Sequence, residues 1–206
     1  MAHSLPFTAD ETAMLSDAQF FLKKARITEK IRGQLNAAHV VLKTELSLTK
    51  LITPSGFDPT CVQFVKGEHL ESFPYQYLDC PKYFHGTEKC TFRTLFWWGH
   101  HAAFALIVEG PLVKQYRKNL FNRFSEVADR DLCLSLSPSL WEWKAGAGLT
   151  MEITHERRSE LAAVLDHRTA FKIARYIAFD YPVLESETLI QEGIRTFRSI
   201  LPIVTP

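Results

Sequence analysis

Two tryptophans followed, across one glycine, by two histidines are the residues of this chain best suited to chemistry. They form the segment Trp97-Trp98-Gly99-His100-His101. If Gly99 marks a hairpin tip, both imidazoles reach solvent or a ligand and the indoles make an apolar floor. The plainer alternative is a pair of strand-end histidines beside packed tryptophans, since both residue types are usually part-buried. Adjacent strand residues point to opposite faces, so the tandem pair is poorly placed to share one metal ion. Arg93 stands four residues upstream, between Phe92 and Thr94 in the most hydrophobic stretch. A buried guanidinium must find a carboxylate or carbonyl partner. Arg93 therefore lines a pocket for an anionic group, belongs to a structural pair, or points to water from an edge. Arg93, Trp97, Trp98, His100 and His101 are the candidate binding residues.

A second constellation is Asp131 with Glu142 and Lys144. An acid at a strand edge, then Glu-x-Lys about ten residues on, is the arrangement of Mg²⁺-dependent nucleases, with two carboxylates on the metal and a lysine orienting the attacking water. Glu142 and Lys144 share a face if their segment is a strand. Against that chemistry, a three-residue pattern arises easily by chance, and Trp141-Glu142-Trp143 reads as an ordinary strand with its polar side wet.

Other chemistries find less support. Cys61, Cys80, Cys90 and Cys133 form no C-x-x-C pair, and their spacing matches no zinc module. There is no Gly-x-Ser-x-Gly and no glycine-rich phosphate loop. Neither a metal nor another cofactor is expected, and no residue is assigned a catalytic role. Lys23, Arg26 and Lys30 line one flank of a helix, but Lys+Arg 24 against Asp+Glu 23 leaves a net charge of only +1. That balance gives no field to gather nucleic acid, and the flank reads as solvated surface.

The elements that position these residues follow from periodicity. Residues 1–50 read as helical, with apolar positions from Phe20 to Leu46 at steps of three and four and a start at Ser16/Asp17. Thr53-Pro54-Ser55-Gly56 ends that region. Residues 57–154 read as mainly antiparallel sheet with one inserted helix. Strands are expected at Cys61–Val65 and Tyr75–Leu78 (stopped by Pro81), across a Gly99 hairpin from Thr91 to Glu109, and at Leu132–Leu136, Leu140–Lys144 and Leu149–Thr154. The inserted helix follows Gly110-Pro111. Residues 155–206 read as C-terminal helices, one capped by Thr154 and the last by Ser186.

Composition completes the expectation. The chain of 206 residues is 46% hydrophobic and 23% charged, with 15 Phe and 4 Trp to carry much of the burial, which suits one globular domain over 1–206. The opening residues lack a charged segment followed by an apolar one, so the thiols are expected to be reduced and the protein cytoplasmic. The fold class is α+β: an antiparallel sheet of about five to seven strands flanked by N-terminal, middle and C-terminal helices. The function this suggests is a cytoplasmic, non-enzymatic binding or protein-interaction module around the aromatic hairpin. Its partner is a small ligand or a protein, neither membrane nor nucleic acid, and a homodimer stays open. The alternative is the Mg²⁺-dependent nuclease.

Overall fold

The computed structural model describes residues 5–179 and 188–206. The chain begins with α1 (Ala9–Ser16), where Thr8 and Glu11 form a reciprocal capping box. Asp17 separates it from α2 (Ala18–Leu48) and caps that helix by accepting from the Phe20 amide at 2.9 Å. Four strands follow: β1 (Gln63–Leu70), β2 (Phe73–His85), β3 (Glu88–Trp97) and β4 (His101–Glu109). Next come α3 (Val113–Asn122), α4 (Phe124–Val127), β5 (Cys133–Ser135), β6 (Thr150–Glu152), α5 (Arg158–Leu165), β7 (Ala170–Ala178) and α6 (Thr188–Val204). The fold is α+β, and the seven strands make one sheet in the order β1-β2-β3-β4-β7-β5-β6, antiparallel at every pairing.

Gly99 does make the hairpin. Trp97 pairs with His101, and Gly99 holds φ +72 between them, a left-handed conformation that favours glycine. The sheet then has two unlike faces. On one, Phe92, Phe96, Phe104, Leu106, Phe171 and Ile173 share a core with the buried sides of α2, α3, α4, α5 and α6. Gly193 of α6 lies so close to β4 that a Cβ there would stand 2.5 Å from the Phe104 ring. On the other face Leu95, Trp97, Ala103, Ala105, Ile107 and Ala174 form a smaller cluster. Its cover is the connection from β5 to β6, through Leu140 and Trp143.

Four expectations need correction. Residues 155–206 are not all helical, because Ala170–Ala178 is β7 and lies between β4 and β5 in the sheet. Leu140–Lys144 is no strand: Trp141 is 43% exposed while Trp143 is buried, so the two indoles do not share an environment. Pro81 does not stop β2, because the β2–β3 register shifts between Asp79 and Lys82 and the proline sits in that irregularity, where its missing amide costs no ladder bond. Thr154 does not cap α5, whose N-cap is Arg157 with no side-chain bond. Ser186 lies outside the described residues.

Candidate functional site

Strand alternation puts Arg93 and Trp97 of β3 and His101 of β4 on the face without helices. Their cross-strand neighbours there are Asp79 and Tyr75 of β2, and Ala105 of β4 beside Ala174 of β7. Down the middle of this face run Ala103, Ala105 and Ala174, with larger polar and aromatic side chains around them. Trp143 from the β5–β6 connection packs into the same cluster.

Arg93 is buried and paired. Its Nε and Nη2 each donate to Asp79 at 2.7 Å, a bidentate geometry that fixes the guanidinium plane. Burial pushes the Asp79 carboxyl up, and the Arg93 contact opposes that shift. The Tyr77 ring lies 3.6 Å from the guanidinium carbon, and Trp141 and Trp143 lie at 5.1 and 5.6 Å. Arg93 is thus the post on which the tryptophan-bearing connection rests, with its charge already neutralised.

The hairpin residues are packed against one another. Trp97 is fully buried and donates from Nε1 to the Leu70 carbonyl at 3.0 Å. His100 stacks on the Trp97 indole at 3.6 Å, and His101 meets it edge-on at 5.6 Å. His101 in turn meets the Tyr176 ring edge-on at 5.0 Å. Trp98 points to the other side, towards Ile27, Ile31 and Phe96, where a cavity of ≈ 380 Å³ opens. The five candidates therefore divide: Arg93, Trp97, His100 and His101 belong to one neighbourhood, and Trp98 to another.

Sequence reasoning missed the residue that gives this face its charge. Lys172 of β7 is 1% exposed. Its ammonium donates to the Glu142 backbone carbonyl and lies 4.0 Å from the centre of the Trp143 ring. No carboxylate pairs with it among the described residues, and burial lowers its pKa to about 8. Burial also lowers His101 to about 4, helped by the neighbouring His100 and Lys172 and opposed by the Trp143 backbone. Along the same face towards the hairpin, the polar inventory is incomplete. His100 Nε2, His101 Nε2 and the Tyr176 hydroxyl are buried with no hydrogen-bond partner among the described residues. Each such group costs about 1–3 kcal/mol relative to a satisfied one. Lys172 follows Phe171 and precedes Ile173, the same charge-in-apolar-strand signal that singled out Arg93.

Tyr176 opens this neighbourhood to the surface. It forms part of the wall of a ≈ 720 Å³ cleft together with Cys133, Thr150, Glu152 and the Ala145–Ala147 turn. The cleft also holds Asp131, but neither Glu142 nor Lys144 lines it. Asp131 pairs with Arg175 at 3.0 Å, Lys144 pairs with Glu71 at 2.7 Å, and the Glu142 carboxylate accepts from the Lys144 amide at 2.8 Å. The three side chains are engaged with separate partners. Among the described residues no three His, Cys, Asp or Glu groups gather as a metal ion would require.

Comparison with protein-family models, with curated proteins and with solved structures found no match to this chain. The geometry alone carries the functional reading. No helix of the described residues is long and apolar enough to cross a membrane.

Proposed function

We propose that the protein is a non-enzymatic binding module that takes a small anion with a planar apolar body on the helix-free face of its sheet. The observation that carries this is Lys172, a buried cation whose partners are one backbone carbonyl and one indole face. Leaving an ammonium so poorly paired is costly, and an apolar residue of similar length would serve packing better. A carboxylate or phosphate at Lys172 would supply the missing countercharge. His101, which feels the Lys172 charge, meets the Tyr176 ring, and its Nε2 and the Tyr176 hydroxyl are both short of partners. Trp143 marks where the apolar body goes, over Ala103, Ala105 and Ala174. The ligand enters from the Tyr176 cleft as the connection holding Leu140–Trp143 lifts. Gly146 and Gly148, both at positive φ, lie at the far end of that connection and supply backbone freedom there. A cytoplasmic setting accompanies this reading, supported by four free cysteines of which two are buried.

The test is a titration with benzoate, phenyl phosphate and inorganic phosphate, read by tryptophan fluorescence and by thermal shift. One of the aromatic anions is expected to raise Tm and change the emission of Trp143, with weaker binding above about pH 8 as Lys172 loses its proton. Lys172→Met is expected to abolish binding while leaving the protein as stable as wild type or more so. No response to any probe at millimolar concentration, or unchanged binding by Lys172→Met, would overturn the reading.

A further inference from the structure

The helix α2 is longer than the sheet that it covers. Its core-facing stripe runs Ile31, Leu35, Ala38, Leu42 and Leu46, all buried. The same stripe continues towards the N-terminus through Ile27, which borders the Trp98 cavity, and Phe20; both are 45% exposed. Residues 18–23, ahead of the point where Lys24 reaches Glu68 of β1, thus extend past the sheet by about 9 Å. The preceding helix α1 has no buried residue at all. Leu5, Phe7, Met14, Leu15, Phe21 and Leu22 are exposed along with the stripe. An apolar arm of this extent is unlike the scattered exposed leucines of an ordinary surface.

Charge on the arm is divided by sequence. Asp10, Glu11 and Asp17 are its first charged residues, with no Lys or Arg among residues 5–22. Residues 23–32 then carry Lys23, Lys24, Arg26, Lys30 and Arg32 against Glu29 alone. Lys24 is taken up by Glu68 at 2.6 Å, and Lys23, Arg26 and Lys30 are exposed. An acidic helix followed by a basic one is complementary to an inverted copy of itself. That is the requirement of a two-fold interface, in which each patch meets the same patch reversed.

We propose that the arm formed by α1 and residues 18–30 of α2 docks on the same arm of a second copy of this chain. The two arms lie antiparallel, so that α1 of each copy covers Phe20 and Ile27 of the other. Asp10 and Glu11 then face Lys23, Arg26 and Lys30 across the seam. The exposed apolar side chains of α1 and of the first turns of α2 supply the apolar part of that seam. An anionic membrane is the other surface that a basic amphipathic helix fits, but the acidic α1 adjoining the basic stretch opposes it.

Analytical ultracentrifugation of the full chain at tens of micromolar decides. A dimer is expected. Phe20→Glu with Ile27→Glu is expected to give a folded monomer with an unchanged circular dichroism spectrum, because neither side chain belongs to the buried core. Asp10→Lys with Glu11→Lys, and separately Lys23→Glu with Arg26→Glu, should each weaken the dimer about tenfold or more. Mixing the two charge-reversed proteins should restore association as a heterodimer. A monomeric wild type, a dimer that survives Phe20→Glu/Ile27→Glu, or co-sedimentation of a monomer with phosphatidylserine vesicles would each overturn the proposal.

Discussion

At the scale of single residues, the helix-free face sets ionisable groups in three different states. Arg93 has a bidentate partner in Asp79, Lys172 has a carbonyl, and His101 is held neutral by burial and by its cationic neighbourhood. His101 gives a pH signature of known sign. Its pKa in the folded protein is about 4, below the 6.5 of a free imidazole, so the unfolded chain binds the proton first as pH falls. The stability that this residue allows is fully present above pH 6.5 and is lost as pH drops towards 4. The loss is on the order of 3 kcal/mol. Urea denaturation of wild type and His101→Asn across that window checks it. The stability difference between the two proteins should narrow, or change sign, on acidification; a difference independent of pH would mean that His101 titrates normally.

At the scale of elements, β4 and α6 set the position of everything on the helix-rich face. Phe104 of β4 is fully buried, and Gly193 lets α6 approach its ring more closely than any side chain would allow. Phe104→Ala should cost about 3–5 kcal/mol as a core truncation. Gly193→Ala should cost about 1–3 kcal/mol from the opposite cause, overpacking against a ring that cannot move aside. Equilibrium denaturation of both variants measures this, and a loss well under 1 kcal/mol in either would show that α6 is not seated on β4. The hairpin, α2 and the inserted helix were legible because each combines a clear period with a turn or cap signal. The strand β7 was not. Its Phe171, Ile173 and Ile177 alternate with Lys172, Ala174 and Tyr176, but the segment follows a helix, and its alanines and cations suit a helix as well as a strand. Only the open edge of β4, which needs a partner for its backbone, decides for the sheet.

At the scale of the whole molecule, one sheet is guarded on its two sides by unlike means. Helices cover one side, and a single connection, fastened by cation–π contacts to Arg93 and Lys172, covers the other. Thiol accessibility reports this asymmetry of protection globally. Cys61 is exposed, whereas Cys80 and Cys90 are buried and burial raises their pKa values to about 12 and about 11. Alkylation without reductant should label Cys61 at once, and Cys80 and Cys90 only at the rate of global unfolding. Labelling of Cys90 as fast as Cys61 would show that the helix-covered side opens locally.

The sequence by itself determined the α+β class, the long first helix, the Gly99 turn and the candidacy of Arg93, because these depend on local period, on glycine backbone freedom and on the cost of an unpaired charge in an apolar strand. Tertiary structure decided which charges meet. Asp79 and Arg93 are joined by strand register, and Lys172 comes under Trp143 because β7 enters the sheet beside β4 and the β5–β6 connection folds back over it. Register and crossover are non-local choices, set by which backbone edges and apolar faces remain to be satisfied once the local elements have formed.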